Sequence, residues 1–345
     1  MGKSEPDLPT RSCGRISTEF LFWYLLSSRP NLIAMGQGGA QPNISQTILK
    51  EYGIPLPPLP VQRRIVAKLD SLFDHSKRAR EELARIPKLV ERYEAAIFAE
   101  AATGRLTANW RAGNLNSKHA NTVIRSSRSN EKAPFVSADG KALPGSWALC
   151  RIGDAGEVTL GRQRAPQHHS GKHMRPYLRV ANVFDDRIDI SDVMQMNFTP
   201  TEFERFCLRK GDILLNEGQS KELVGRAAMF RGEIEGACFT NTLVRFRASD
   251  KVSESYALLV FRHYLRAGVF QGIANITTNI AHLGAGRFAD LPFPLPPVDE
   301  QLEMVRLCAA KLEALDRIKL QVAKAAKEVY RLDQATLAKA FRGSW

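Results

Sequence analysis

Within this 345-residue chain, the segment Val158 to Phe184 contains no acidic residue, yet it carries Arg162, Arg164, Lys172, Arg175 and Arg179 together with His168, His169 and His173. Gly161, Pro166 and Gly171 make its centre a loop, and Arg or Lys on a loop can pair with phosphates or reach a guanine edge. A second acid-free stretch, Ser255 to Ala289, holds the polar run Asn275-Ile276-Thr277-Thr278-Asn279. A third polar loop is Asn216-Glu217-Gly218-Gln219-Ser220-Lys221. From these segments the candidate nucleic-acid contacts are Arg162, Arg164, His168, His169, Lys172, Arg175, Asn216, Gln219, Ser220, Lys221, Asn275, Thr277, Thr278 and Asn279. For any one of them a solvated surface side chain is an equally good reading, so the segments carry more weight than the residues.

Other chemistries fit the residues less well. Gly156 to Gln163 (GEVTLGRQ) has the spacing of a phosphate-binding loop, but Arg162-Gln163 stand where Lys and Ser/Thr are required. Asp185, Asp186, Asp189 and Asp192 suit a solvated acidic turn better than a two-metal nuclease centre. His168-His169 lacks a partner at ligand spacing, so no metal site is expected. There is no NPPY-like tetrapeptide and no glycine-rich cofactor loop after a strand. No catalytic residue is expected, and the chain should bind no cofactor of its own.

The composition agrees with a folded reader of polyanions. Hydrophobic residues make up 44% and charged residues 25% of the chain, the balance of an ordinary globular protein. Lys plus Arg exceed Asp plus Glu by 49 − 36 = 13, a surplus that favours nucleic acid as partner. The apolar cluster Phe20 to Leu26 is too short to cross a bilayer and follows Glu19 directly, so neither a membrane span nor a secretory leader is suggested and a cytoplasmic location is expected. Five widely spaced cysteines without a CxxC pair read as buried thiols.

The elements that position the loops announce themselves through an internal repeat. Ile54 to Leu106 aligns with Phe293 to Trp345 at a constant offset of 239 without a gap, and 15 of 53 positions are identical. The identities include PLPP (55 to 58 and 294 to 297), Gln62/Gln301, Val66/Val305, Arg78/Arg317, Arg92/Arg331 and Gly104/Gly343. Weaker similarity upstream, Asn43-Ile44 with Asn279-Ile280, suggests that residues 16–53 are the closing piece of the module whose complete copy spans about 134–292.

The prolines exclude helix until after Pro60. Beyond it, Ile65, Leu69, Leu72, Ser76, Ala79, Leu83, Ile86, Val90, Tyr93 and Ile97 form a heptad seam. The equivalent positions are Met304, Cys308, Lys311, Leu315, Ile318, Val322, Ala325, Val329, Leu332 and Thr336. Each helix should be about 60 Å long, and the two should pair antiparallel, with a kink at Pro87 and glycine stops at 104 and 343. The alternative is that each seam packs on its own neighbouring module.

The expected fold is α+β, a mixed-sheet recognition domain joined to two long helices in an antiparallel coiled coil. Its parts are a disordered start (1–15), a partial first recognition domain (16–60), a first spacer helix (61–106), a linker (107–133), a complete recognition domain (134–297) and a second spacer helix (298–345). Thr199 to Phe206 and Glu254 to Phe270 should be helical within an otherwise strand-rich module.

LPGSW opening a module, PLPP followed by Gln and a long heptad helix, and a helix end reading AATGRLTANW together resemble the specificity subunit of type I restriction-modification enzymes. The likeness covers about residues 16–345. It implies a non-catalytic DNA-recognition subunit with two target-recognition domains, each followed by a long helix, on which modification and restriction subunits dock. S-adenosylmethionine, ATP and Mg²⁺ then belong to those partner subunits. The chain departs from the family pattern before the first PLPP, where a front portion of the first recognition domain is expected to be missing. It should then read one half-site, pair with another copy, or be a gene remnant. Two further readings compete: a stand-alone coiled-coil protein binding RNA or acidic protein, and a self-contained nuclease or methyltransferase.

Overall fold

A computed structural model describes residues 15–36, 44–114, 143–277 and 280–342. The expected disordered start, Thr278, Asn279, Gly343 and most of the expected linker lie outside them. In chain order the elements are α1 (Thr18–Met35), α2 (Gln46–Glu51), α3 (Leu59–Ala102), α4 (Ala108–Gly113), β1 (Ala148–Arg151), α5 (Ile152–Ala155), β2 (Gly156–Leu160) and β3 (Met174–Leu178). Then come β4 (Val183–Phe184), β5 (Arg187–Ile188), β6 (Met194–Asn197), α6 (Pro200–Phe206), β7 (Ile213–Asn216), β8 (Gly218–Gln219), β9 (Ala227–Met229), β10 (Cys238–Phe239) and β11 (Leu243–Ala248). The chain closes with α7 (Glu254–Arg266), α8 (Val269–Ile273), β12 (Asn275–Thr277), β13 (Ile280–His282), α9 (Ala285–Asp290), β14 (Pro292–Leu295) and α10 (Val298–Phe341). Two compact units result: Met1–Val90 with Asp316–Trp345, and Glu91–Leu315.

In the first unit, α3 and α10 pair antiparallel. Leu69 near the start of α3 packs with Leu337 and Ala340 near the end of α10, and Phe20 and Trp23 of α1 complete that cluster. Further along α3, Arg80 is ion-paired to Asp333, which lies earlier in α10 and is 6% exposed. Of the expected seam, Ile65, Leu69, Val90, Ile97, Met304, Cys308 and Leu315 are buried, while Leu83, Ile86, Val322 and Val329 are half-buried. Five members are not: Lys311 is exposed, and Leu72 is 39%, Tyr93 64%, Ile318 45% and Leu332 61% exposed. The buried stripe of α10 has moved one residue along, onto Asp333, Leu337 and Ala340. A 3.5-residue repeat on a 3.6-residue helix drifts about 20° per heptad, and this seam follows the drift.

The helices begin alike. Val61 and Gln62 donate to the Pro58 carbonyl, as Glu300 and Gln301 donate to that of Pro297. Helix α3 thus starts at Leu59, earlier than expected, because Pro60 sits in a first turn that needs no donor from it. It remains helical through Pro87. Its end is glycine-controlled: Gly104 has φ +72°, and a Cβ there would lie 2.7 Å from Pro144 and 2.8 Å from Trp147 of the LPGSW element. The expected linker starts late, since Thr107 and Arg111 on the far side of Gly104 both hydrogen-bond the fully buried Glu300 carboxylate of α10.

The strongest repeat is chemical. Gln62 Nε2 donates to the carbonyls of Arg15 (2.9 Å) and Pro57 (2.8 Å), while Oε1 accepts from Ser17 N (2.8 Å). Gln301 Nε2 donates to Lys251 (3.0 Å) and Pro296 (2.9 Å), and its Oε1 accepts from Ser253 N (2.7 Å). Both side chains are wholly buried, and Ser17 and Ser253 are the N-caps of α1 and α7. Tyr24 and Tyr264 on those helices donate to the carbonyls of Gly53 and Pro292, and α2 and α9 match at the same 239-residue offset, 285 − 46. Residues 15–36 and 44–53 therefore share the architecture of the segment that closes the second module.

That module is α+β with mixed pairing. Strands β2-β11-β7-β9 form an antiparallel four-stranded sheet, and β10-β3-β6 a three-stranded sheet in which β10 and β3 run parallel. A second three-stranded sheet has the order β12-β13-β8. Phe198, Phe206 and Phe239 fill a core with Leu214 and Leu243, and α7 packs on β9 and β11. Expected helices appear at α6 and α7, the latter ending at Arg266 rather than continuing to Phe270 because Gly268 turns left-handed at φ +76°.

Replacing Gln301 by Ala strands the Ser253 N–H and two carbonyls in a dry site. Chemical denaturation of the full chain should show a loss of about 2 kcal/mol or more; a change below about 0.5 kcal/mol would mean the clamp is not holding the junction.

Candidate nucleic-acid interface

The three polar segments meet through backbone hydrogen bonds. Asn241 N donates to Arg162 O (2.9 Å), Glu217 N to Thr242 O (2.9 Å), and Leu283 N to Glu217 O (2.8 Å). The loop after β2 and the turn between β7 and β8 are thus stitched to residues 241–242, and the β12–β13 pair is stitched to that turn through Glu217.

Their side chains are not equivalent. Arg162 is 7% exposed; its Nε donates to Glu202 Oε1 (2.8 Å), Nη1 donates to Asn197 O (2.9 Å), and the guanidinium lies over Phe198. It fastens the loop to the start of α6, which leaves it no edge for a phosphate. Burial would raise the Glu202 carboxyl, but the Thr199 N–H and Arg162 outweigh it and hold it below its ordinary value. By contrast Arg164, Lys172 and Arg175 are exposed. Arg164 lies over the Tyr177 ring at 5.6 Å and Arg175 over Phe203 at 4.4 Å. Stacking of this kind fixes a guanidinium while leaving its N–H edge for an acceptor. His169 is exposed, and His168 is half-buried in the short turn Pro166–His168.

At the end of β7, Asn216 is wholly buried, and neither polar atom of its amide has a hydrogen-bond partner among the described residues. It is therefore an interior group, unlike the expectation for a surface contact. Gln219 and Ser220 are half-buried, with Gln219 Oε1 accepting from Ser220 N, and Lys221 is exposed. On the hairpin, Asn275 and Thr277 are exposed.

Residues that the sequence reading passed over complete the hairpin. His282 Nδ1 lies 3.1 Å from Glu217 Oε2, and Arg287 Nη2 donates to His282 O (2.7 Å). The signal available was the alternation Asn275, Thr277, Ile280, His282, symmetric about two central residues.

The acidic turn is solvent-exposed in part, and its carboxylates are ion-paired. Arg262 and Arg266 both bind Asp185, with each guanidinium 4.6 Å from the Phe98 ring, while Asp186 pairs with Arg231 (2.7 Å) and Asp192 with Arg179. Burial would raise the Asp185 carboxyl, but its two arginines outweigh that and hold it below the ordinary range. These carboxylates serve as internal counter-ions. Among the described residues no His, Cys, Asp or Glu grouping could hold a metal ion. Burial pushes the thiols of Cys150, Cys238 and Cys308 up to about 12, so they stay protonated and unreactive. None of the described helices is long and apolar enough to cross a membrane.

The chain is similar to known proteins. The family model for the type I restriction modification DNA specificity domain matches residues 11–87. The EcoKI specificity subunit of Escherichia coli (strain K12) is 26% identical over 91% of this chain and 62% of its own length. The StySPI specificity subunit of Salmonella potsdam is 28% identical, over 95% of this chain and 65% of that protein. The chain thus spans less than two thirds of either relative. Among solved structures, a chain from a type I restriction-modification system superposes with TM-score 0.64 at 22% identity, covering 95% of this chain and 71% of that one. The HsdS subunit from Thermoanaerobacter tengcongensis gives TM-score 0.53 at 22% identity, covering 96% and 72%. These two share the fold. The buried glutamine clamp and the paired long helices thus occur in a chain that is similar to type I restriction-modification specificity subunits.

Proposed function

We propose that this chain is the DNA-sequence recognition subunit of a type I restriction-modification complex. The observation that carries the proposal is the repeated junction in which a buried glutamine locks a closing helix to the start of a long paired helix, in a chain similar to proteins named as specificity subunits. Under this reading the module of residues 143–295 binds duplex DNA, and its exposed stacked cations Arg164 and Arg175, with Lys172, meet phosphates. The paired helices serve as a rigid platform for modification and restriction subunits. Methyl transfer, translocation and cleavage reside in those partners, which also hold S-adenosylmethionine, ATP and Mg²⁺. The recognition module seen here reads one half of a two-part target, and a second module, from this or another chain, reads the other.

Two measurements bear on it. Binding of the full chain to duplex DNA should weaken linearly in log–log salt titration, and replacing Arg164, Lys172 and Arg175 together by Ala should flatten the slope by about 0.9 for each phosphate that is no longer neutralised. An unchanged slope would place the phosphate-binding surface elsewhere. With S-adenosylmethionine and duplex DNA, the isolated chain should transfer no methyl group, whereas addition of its modification subunit should start transfer; transfer by the chain alone would contradict the non-catalytic role.

A further inference from the structure

Strands β12 and β13 pair antiparallel with Asn275 opposite His282, Ile276 opposite Ala281 and Thr277 opposite Ile280. Residues directly opposite share a face of the ribbon. One face therefore carries Asn275, Thr277, Ile280 and His282. The other carries Ile276 and Ala281, the latter 1% exposed against the module. The first face is open: Asn275 and Thr277 are exposed, Ile280 is 49% exposed, and the His282 side chain is 42% exposed.

Two properties of this face need explanation. It contains no Lys, Arg, Asp or Glu, although β12 is the outer strand of its sheet and exposed edges are usually blunted by charge. It is also held stiffly. Glu217 fixes the His282 ring through Nδ1, Arg287 holds the His282 carbonyl, and Leu283, wholly buried, ties the strand to Glu217 O. A ribbon face without Lys, Arg, Asp or Glu, held this firmly, is poorly suited to phosphates, yet it can discriminate between neutral surfaces.

The major groove admits a two-stranded ribbon, and its base edges present neutral donors, acceptors and the thymine methyl. The Asn275 amide can bond adenine N6 and N7 together, while the Thr277 methyl and Ile280 suit a thymine methyl. With Nδ1 engaged by Glu217, Nε2 is the His282 nitrogen left for a base edge. We infer that the face formed by Asn275, Thr277, Ile280 and His282 is the base-reading element of this module, inserted in the major groove over at least one A·T pair, with Glu217 as a positioning residue for His282. This rests on the DNA-recognition reading above and adds a division of labour: stacked cations such as Arg164 and Arg175 supply affinity, and the ribbon face supplies sequence preference.

The test uses the full chain and a pool of randomised duplexes. The wild-type chain should enrich one motif. The exposed double variant Asn275→Ala/Thr277→Ala should lose about tenfold or more of the preference at one or two adjacent base pairs that include an A·T pair. Its affinity for unselected duplex should stay within about twofold of wild type. His282→Ala and Glu217→Ala should each relax preference at one common further base pair, and Glu217→Ala should add no loss in the His282→Ala background. An unaltered motif in the double variant, or an equal loss of affinity for all duplexes, overturns the assignment. Additive losses for Glu217 and His282 overturn the positioning role. If the wild-type chain binds no duplex at all, the DNA-recognition reading itself falls, and the assignment with it.

Discussion

A buried primary amide that must satisfy both its donor and its acceptor sets the geometry of this protein twice. At Gln62 and again at Gln301 the amide spans the end of a proline-fixed connector, the segment before an N-cap serine and that serine's own N–H. Leaving any of these groups unpaired in a dry site costs about 1–3 kcal/mol, so the long helix can leave its module in few directions. The prolines remove backbone donors where the chain turns, and the glutamine replaces them with a side chain that reaches three backbone groups. The helices built on these junctions then pair along Leu69, Leu337 and Ala340.

Charge is divided in a way that the net surplus conceals. Arg162, Arg245 and Arg247 face Glu202, Glu157 and Asp212 in and around the core, and Arg262 and Arg266 share Asp185. Burial alone would lower the Arg245 guanidinium, and it does so despite its partner Glu157. Much of the chain's arginine content is therefore structural. Arg164 and Arg175 are among the cations that face solvent on aromatic supports, and the open face of the β12–β13 pair carries no Lys or Arg.

Sequence periodicity made some of this legible and left the rest hidden for definite reasons. The 239-residue offset exposed the PLPP–Gln element, both long helices and the left-handed stop at Gly104, because each depends on residues close together in the chain. The equivalence of Ser17 with Ser253 and of Tyr24 with Tyr264 was hidden, since their spacing differs by 11 − 7 = 4 residues, one helical turn, which shifts the alignment inside the helix. The seam residues Leu72, Tyr93, Ile318 and Leu332 follow the heptad rule in sequence but not in space, where Asp333 takes a buried place through its pair with Arg80. Arg162 and Asn216 looked like surface contacts because burial depends on β11 and α6, which lie far away in sequence. The hairpin face could have been read from its period-two alternation, but Glu217 could be matched to His282 only after the fold brought them within 3.1 Å.

The central proposal is that this chain selects a DNA sequence on which other polypeptides act. Mapping methylated adenines across the genome of host cells that carry the intact coding sequence, and of otherwise identical cells lacking it, tests this most directly. Loss of methylation confined to a single defined sequence motif is the predicted result. Identical methylation maps in the two strains, with the modification subunit present in both, would contradict it.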